Sequence, residues 1–148
     1  MVHLRGAVWG GLLASLLVLA GCSTPMMSDP VALTSSLRST SEVPPTASNG
    51  SGSMQAQLDR QTQQLSWSIV YGGLTGPVTA AHFHGPAMVG QNAGVVVPIL
   101  GNLESPMQGA ALLTSDQAAQ LLAGQWYVNL HTSANPGGEI RGQVVVSP

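Results

Sequence analysis

Lysine is absent from the 148 residues, and the positive side chains are four arginines, Arg5, Arg38, Arg60 and Arg141. Charged residues make up 7 % of the chain, against roughly 25 % in typical soluble domains. That excludes a nucleic-acid partner, because no positive stripe can be assembled to displace counterions. The scarcity of charge does not signal disorder, since 44 % of the residues are hydrophobic and the formal net charge is -2. The single cysteine, Cys22, excludes an internal disulfide and a cysteine-rich zinc site. Nucleophile signatures are missing as well: there is no Gly-x-Ser-x-Gly elbow. Glu42, Asp59, Glu104 and Asp116 are scattered, with no adjacent pair for acid–base work. Enzymatic activity is not the expectation, apart from what a metal with an open coordination position would allow. The length suits one domain.

The start of the chain reads as an address. His3 and Arg5 precede an apolar run from Ala7 to Ala20, broken by Gly10, Gly11 and Ser15. The run is shorter than the about 20 residues needed to cross a hydrocarbon core of about 30 Å. It ends in Leu19-Ala20-Gly21-Cys22, which resembles the lipobox of bacterial lipoproteins. The resemblance implies a signal peptide over residues 1–21 and lipidation of Cys22. It also implies a membrane partner reached through that anchor. Several acyl chains, at about 0.8 kcal/mol per buried methylene, would hold a domain durably. Ser23 stands where Asp marks inner-membrane retention in Gram-negative lipoproteins, so the expected location is the bacterial envelope, at the outer membrane. Residues 22–32 are expected to form a lipidated tether, and residues 33–148 the folded domain.

From Val31 onward, short alternating segments are punctuated by Gly, Pro and Asn. Strands are expected at Val31–Ser39, around Met54–Leu58, at Leu65–Tyr71 and at Val78–His84. Others are expected at Val95–Leu100 (an inner strand, from its apolar run), Gly109–Leu113, Gln125–Thr132 and Glu139–Val146. Asp59 to Gln63 should turn a hairpin. Thr114-Ser115-Asp116-Gln117 has capping-box form and should open a helix of about two turns, closed by Gly124. The expected fold is all-β, a small antiparallel β-sandwich or Greek-key barrel with one short helix.

His82-Phe83-His84 is the most informative tripeptide. Alternation along a strand points both histidines to one face and Ala81 and Phe83 to the other. The two Cα atoms would lie about 6.6 Å apart, near enough for both rings to reach one metal. Downstream, Trp126, Val128 and Leu130 alternate with Tyr127, Asn129 and His131. In the last segment Glu139, Arg141 and Gln143 share a face. A simple hairpin register pairs His131 with Glu139, Asn129 with Arg141 and Tyr127 with Gln143. Two readings follow. Glu139 orients or ligates beside His131, or Arg141 pairs Glu139 and the cluster is structural. Met54, Trp67 and Trp126 read as core.

Three separated blocks resemble the CHRD domain, named from chordin. They are Glu42-Val43-Pro44-Pro45 with Leu74 to Ala87, then Leu122 to Thr132, then Asn135 to Gln143. The resemblance implies an extracellular or envelope domain and places His82, His84, His131, Glu139 and Arg141 among its matching positions. The leading expectation is an envelope lipoprotein binding one Cu or Zn ion through His82, His84 and His131. Neutral imidazoles suit either metal, with copper generally the tighter. The alternative is a metal-free extracellular module that contacts a protein or glycan through the loops Gly85–Gly94 and Gly101–Gly109.

Overall fold

The computed structural model describes Met1 and residues 29–148. The signal segment, the lipobox with Cys22 and most of the tether lie outside the described residues. Val31 and Ala32, at the tether boundary, already belong to the first strand.

The strands are β1 (Val31–Arg38), β2 (Ser51–Leu58), β3 (Gln64–Gly72), β4 (Val78–His84), β5 (Val95–Pro98), β6 (Met107–Leu112), β7 (Tyr127–Thr132), β8 (Ile140–Gln143) and β9 (Val145–Val146). One helix, α1 (Ser115–Leu122), lies between β6 and β7. Among the described residues every pairing is antiparallel, in the order β5-β4-β7-β8-β1-β2-β3-β6, with β9 beside β1. The sheet curls until it is nearly closed, so the chain is an all-β small barrel. No helix among the described residues is long and apolar enough to cross a membrane.

Alternation explains the best-defined part. Met54, Ala56 and Leu58 of β2 are buried, and Ser53, Gln55 and Gln57 are exposed. In β3, Leu65, Trp67 and Ile69 turn inward. The pairing of Leu58 with Leu65 aligns the two inward sets. Between them the Asp59 carboxylate accepts the backbone N–H groups of Gln61 and Thr62 at 2.8 and 3.0 Å, which makes this acid a turn former. Phe83 and Trp126 are fully buried in the core, and the Trp67 and Phe83 rings meet edge to face at 5.1 Å. Helix α1 has the expected capping box: Thr114 Oγ1 accepts from Gln117 N, and Gln117 Oε1 accepts from Thr114 N.

Two expectations need correction. The apolar run from Val95 is an edge strand rather than an inner one, and it ends at Pro98. Val95 is 53 % and Leu100 78 % exposed. The run is apolar because one side closes the core through Val97 and Ile99, while the other faces a seam in the barrel. The segment from Glu139 divides into β8 and β9 at Val144, a buried residue whose N–H bonds to the Trp126 carbonyl. β7 is buried along its whole length, its polar face as well as its apolar one. On its polar face Tyr127 meets the loop joining β4 to β5, and His131 meets His82 and Pro136.

Candidate metal centre

β4 and β7 lie side by side, with His82 opposite Asn129 and His84 opposite Tyr127. This register puts the polar faces of both strands on the same side of the sheet. His131, opposite Ala80, then falls diagonally beside His82. One ligand nitrogen from each of His82, His84 and His131 lies within 4.8 Å of the others. His82 Nδ1 is 3.1 Å from His131 Nε2. Ring centroids are 4.9 Å apart for His82 and His131, 5.5 Å for His82 and His84, and 6.4 Å for His84 and His131. His84 and His131 are buried and His82 is half-buried, so the cluster meets solvent on the His82 side.

The remaining ring nitrogens are anchored by backbone carbonyls. His84 Nδ1 donates to Ala93 O and His131 Nδ1 to Pro136 O, each at 2.9 Å. These bonds fix the tautomer that leaves a lone pair on each Nε2. His84 Nε2 is buried and has no hydrogen-bond partner. His131 Nε2 faces Asn129 Oδ1 at 3.0 Å, and Asn129 also hydrogen-bonds the Glu42 carboxyl. His131 therefore has an oxygen acceptor at each end, whereas a neutral imidazole carries one N–H. At Nε2 the neighbour able to donate a proton is His82 Nδ1, 3.1 Å away. Burial lowers the pKa of His82, and the neighbouring His131 and His84 lower it further. Burial also lowers that of His84, against the opposing effects of the bond to Ala93 and of the nearby Asn129 amide. Both rings are thus held in the neutral form that ligates metal.

The last hairpin has the register expected from the sequence: Tyr127 pairs with Gln143 and Asn129 with Arg141. The ladder ends at Leu130 and Ile140, so His131 and Glu139 do not continue it. The Glu139 carboxylate serves neither of the roles considered for it. It accepts from Ser48 Oγ (2.5 Å), Thr132 Oγ1 (2.5 Å), Thr75 Oγ1 (2.7 Å) and Thr75 N (2.8 Å). Burial pushes this carboxyl up, but the Ser48, Thr132 and Thr75 donors outweigh it and hold the pKa at about 2. Arg141 is buried as well. It donates to Asn92 Oδ1 at 2.9 Å and to the Gln91 carbonyl, and its guanidinium carbon lies 3.4 Å from the Tyr127 ring centroid. The Tyr127 ring is stacked with His84 at 4.8 Å and 2°. Arg141, Tyr127 and Gln143, whose amide donates to Ala87 O, tie the β4–β5 loop down over the site. That loop is what supplies the Ala93 carbonyl to His84.

Glu42 is the polar residue that sequence reasoning quoted but assigned no role. It is 5 % exposed, and burial raises its carboxyl to about 7 despite the opposing charge of Arg141. The carbonyls of Ala93 and Pro136 had no sequence signal, because any residue has one. The nearest hint to the second was Asn135-Pro136-Gly137-Gly138, in which Gly138 takes φ +128. A Cβ there would lie 2.5 Å from Glu42 Oε1 and 2.7 Å from Asn129 Nδ2.

An all-β barrel with a three-histidine cluster on its outer face is the class that fold and site define. The CHRD domain family model matches residues 33–144, and the chain belongs to that family. No curated protein and no solved structure matches it.

Proposed function

We propose that this chain is an envelope-anchored lipoprotein whose CHRD domain binds one transition metal ion, Cu(II) or Zn(II), through His82, His84 and His131. The observation that carries the reading is the convergence of lone pairs. His84 Nε2 is buried without a donor, and His131 Nε2 faces an amide oxygen while its own N–H is committed to Pro136. A cation among these atoms satisfies His84 Nε2, which has no donor, and replaces the His82 Nδ1 contact at His131 Nε2. Ligand atoms within 4.8 Å of one another close to about 3.4 Å, by rotation of the half-buried His82 ring, when each nitrogen sits about 2.0–2.1 Å from one tetrahedral ion. The Ala93 and Pro136 carbonyls supply the outer support that metal-bound imidazoles usually have. Anchoring rests on Leu19-Ala20-Gly21-Cys22, and the outer-membrane location on Ser23.

Isothermal titration with Cu(II) and with Zn(II) tests the metal. The expected result is one ion per chain, with affinity reduced at least about 100-fold when His82, His84 and His131 are all changed to Ala. Uptake no tighter than that of the triple variant ends the reading. Anchoring is tested separately, by the mass of the envelope-extracted chain and by release of a Cys22→Ser variant into the soluble fraction.

A further inference from the structure

The barrel has a seam. β5 and β6 are the two ends of the sheet and do not pair with each other. Between them lies a cleft of about 370 Å³, with Val96, Pro98 and Leu100 on one wall and Ala110 and Leu112 on the other. Trp67 lines it from below. Three features of this cleft are unusual for a sheet edge.

The first is the absence of protection on β6, whereas β5 is short and ends in Pro98. Exposed edges normally carry lysine, an inward charge or a bulge against strand addition. Here residues 94–101 and 105–114 contain no charged side chain, and the rim presents Leu100 at 78 % and Leu112 at 74 % exposure. The second is an orphan donor. Trp67 is 7 % exposed, and its indole N–H is buried without a hydrogen-bond partner. A buried N–H normally has an acceptor, and leaving it unpaired is destabilising. The third is access to that donor. Gly109 of β6 lies over the indole, where a Cβ would come within 2.6 Å of Trp67 Cζ2 and 3.1 Å of Nε1. The strand above the tryptophan is therefore reduced to bare backbone.

We propose that this seam receives an extended, uncharged peptide segment of a partner polypeptide, which pairs with the free edge of β6 and closes the barrel. The outward-facing N–H groups of β6 have no strand beside them, and an added strand supplies them with main-chain carbonyls at every second residue; its inward side chains lie against Trp67, where a serine or glutamine oxygen can accept the orphan indole N–H. The uncharged walls select an uncharged strand, because a charge placed there would lose its hydration without gaining a partner. The apolar rim at Leu100 and Leu112 receives its alternate side chains.

The test uses the full chain, labelled with ¹⁵N, and a neutral probe peptide, acetyl-Ser-Val-Gln-Val-Ser-Val-Gln-amide, with a control carrying Pro at its central Val. Loss of one indole signal in Trp67→Phe assigns the Trp67 resonance. The expected result is a shift of that resonance and of the β6 amides, and slower exchange of those amides. The control should bind at least about tenfold more weakly, because it lacks a central N–H, and so should a Leu112→Lys variant titrated with the probe. Strand pairing through the main chain tolerates sequence, so no shift at about 1 mM peptide overturns the proposal. Equal binding of the proline control also overturns it. So does a concentration-dependent dimer that shifts β6 without peptide, since the occupant is then a second copy of this chain.

Discussion

Two buried glutamates show how environment, rather than residue type, sets chemistry. Glu139 receives donors from Ser48, Thr75 and Thr132, three separate segments, and its pKa is held at about 2. Its folded-state value is depressed, so the stability it confers is present above its ordinary 4.5 and is lost as pH falls through about 2. Glu139→Gln is expected to lower unfolding stability by about 2–3 kcal/mol at pH 7, the loss of a charge-assisted network. The gap from wild type should narrow below pH 4.5 in denaturant titrations. Glu42 has the opposite sign. Its folded-state value is raised to about 7, so the folded chain holds the proton more tightly and stability falls as pH rises from 4.5 to 7. Glu42→Gln should flatten that fall, and at pH 8 it should be at least as stable as wild type. A stability–pH slope unchanged in that window would contradict the assignment.

Among the elements, the capping box of α1 gives the simplest check. Thr114→Ala removes the acceptor for Gln117 N and should cost about 1 kcal/mol, a Tm decrease of about 4 °C by calorimetry. The sequence was most legible at this scale. Alternation located β2, β3, β4 and β7, and the turn chemistry of Asp59 located their tightest hairpin. The polar register of Tyr127 and Asn129 with Gln143 and Arg141 followed from counting. Legibility failed where a strand's neighbours decide the outcome. Val95-Val96-Val97 read as an inner strand because apolar runs carry no information about whether both sides are paired. Alternation marked the face of β7 bearing Asn129 and His131 as polar but not that it is buried, because its neighbours Glu42, His82 and Pro136 come from segments distant in sequence. The carbonyls of Ala93 and Pro136, which orient the rings, are invisible in a string of side chains.

For the whole molecule, the histidine trio required His82 and His131, 49 residues apart in the chain, to lie on neighbouring strands, and the barrel aligns them. Phe83 and Trp126 in the core fix the outward direction of their strand neighbours, so the polar cluster is placed by apolar packing beneath it. The roles given to Glu139 in the sequence reading did not survive, because Ser48 and Thr75 come from loops whose position only the closed sheet determines. What lies before residue 29 belongs to the anchoring proposal and is tested apart from the domain.

The most direct measurement is anomalous diffraction from crystals grown with one equivalent of Cu(II). The account predicts a single strong peak about 2.0–2.1 Å from a nitrogen of each of His82, His84 and His131, with the Ala93 and Pro136 hydrogen bonds intact. A peak elsewhere, or none among these rings at full metal loading, would contradict it.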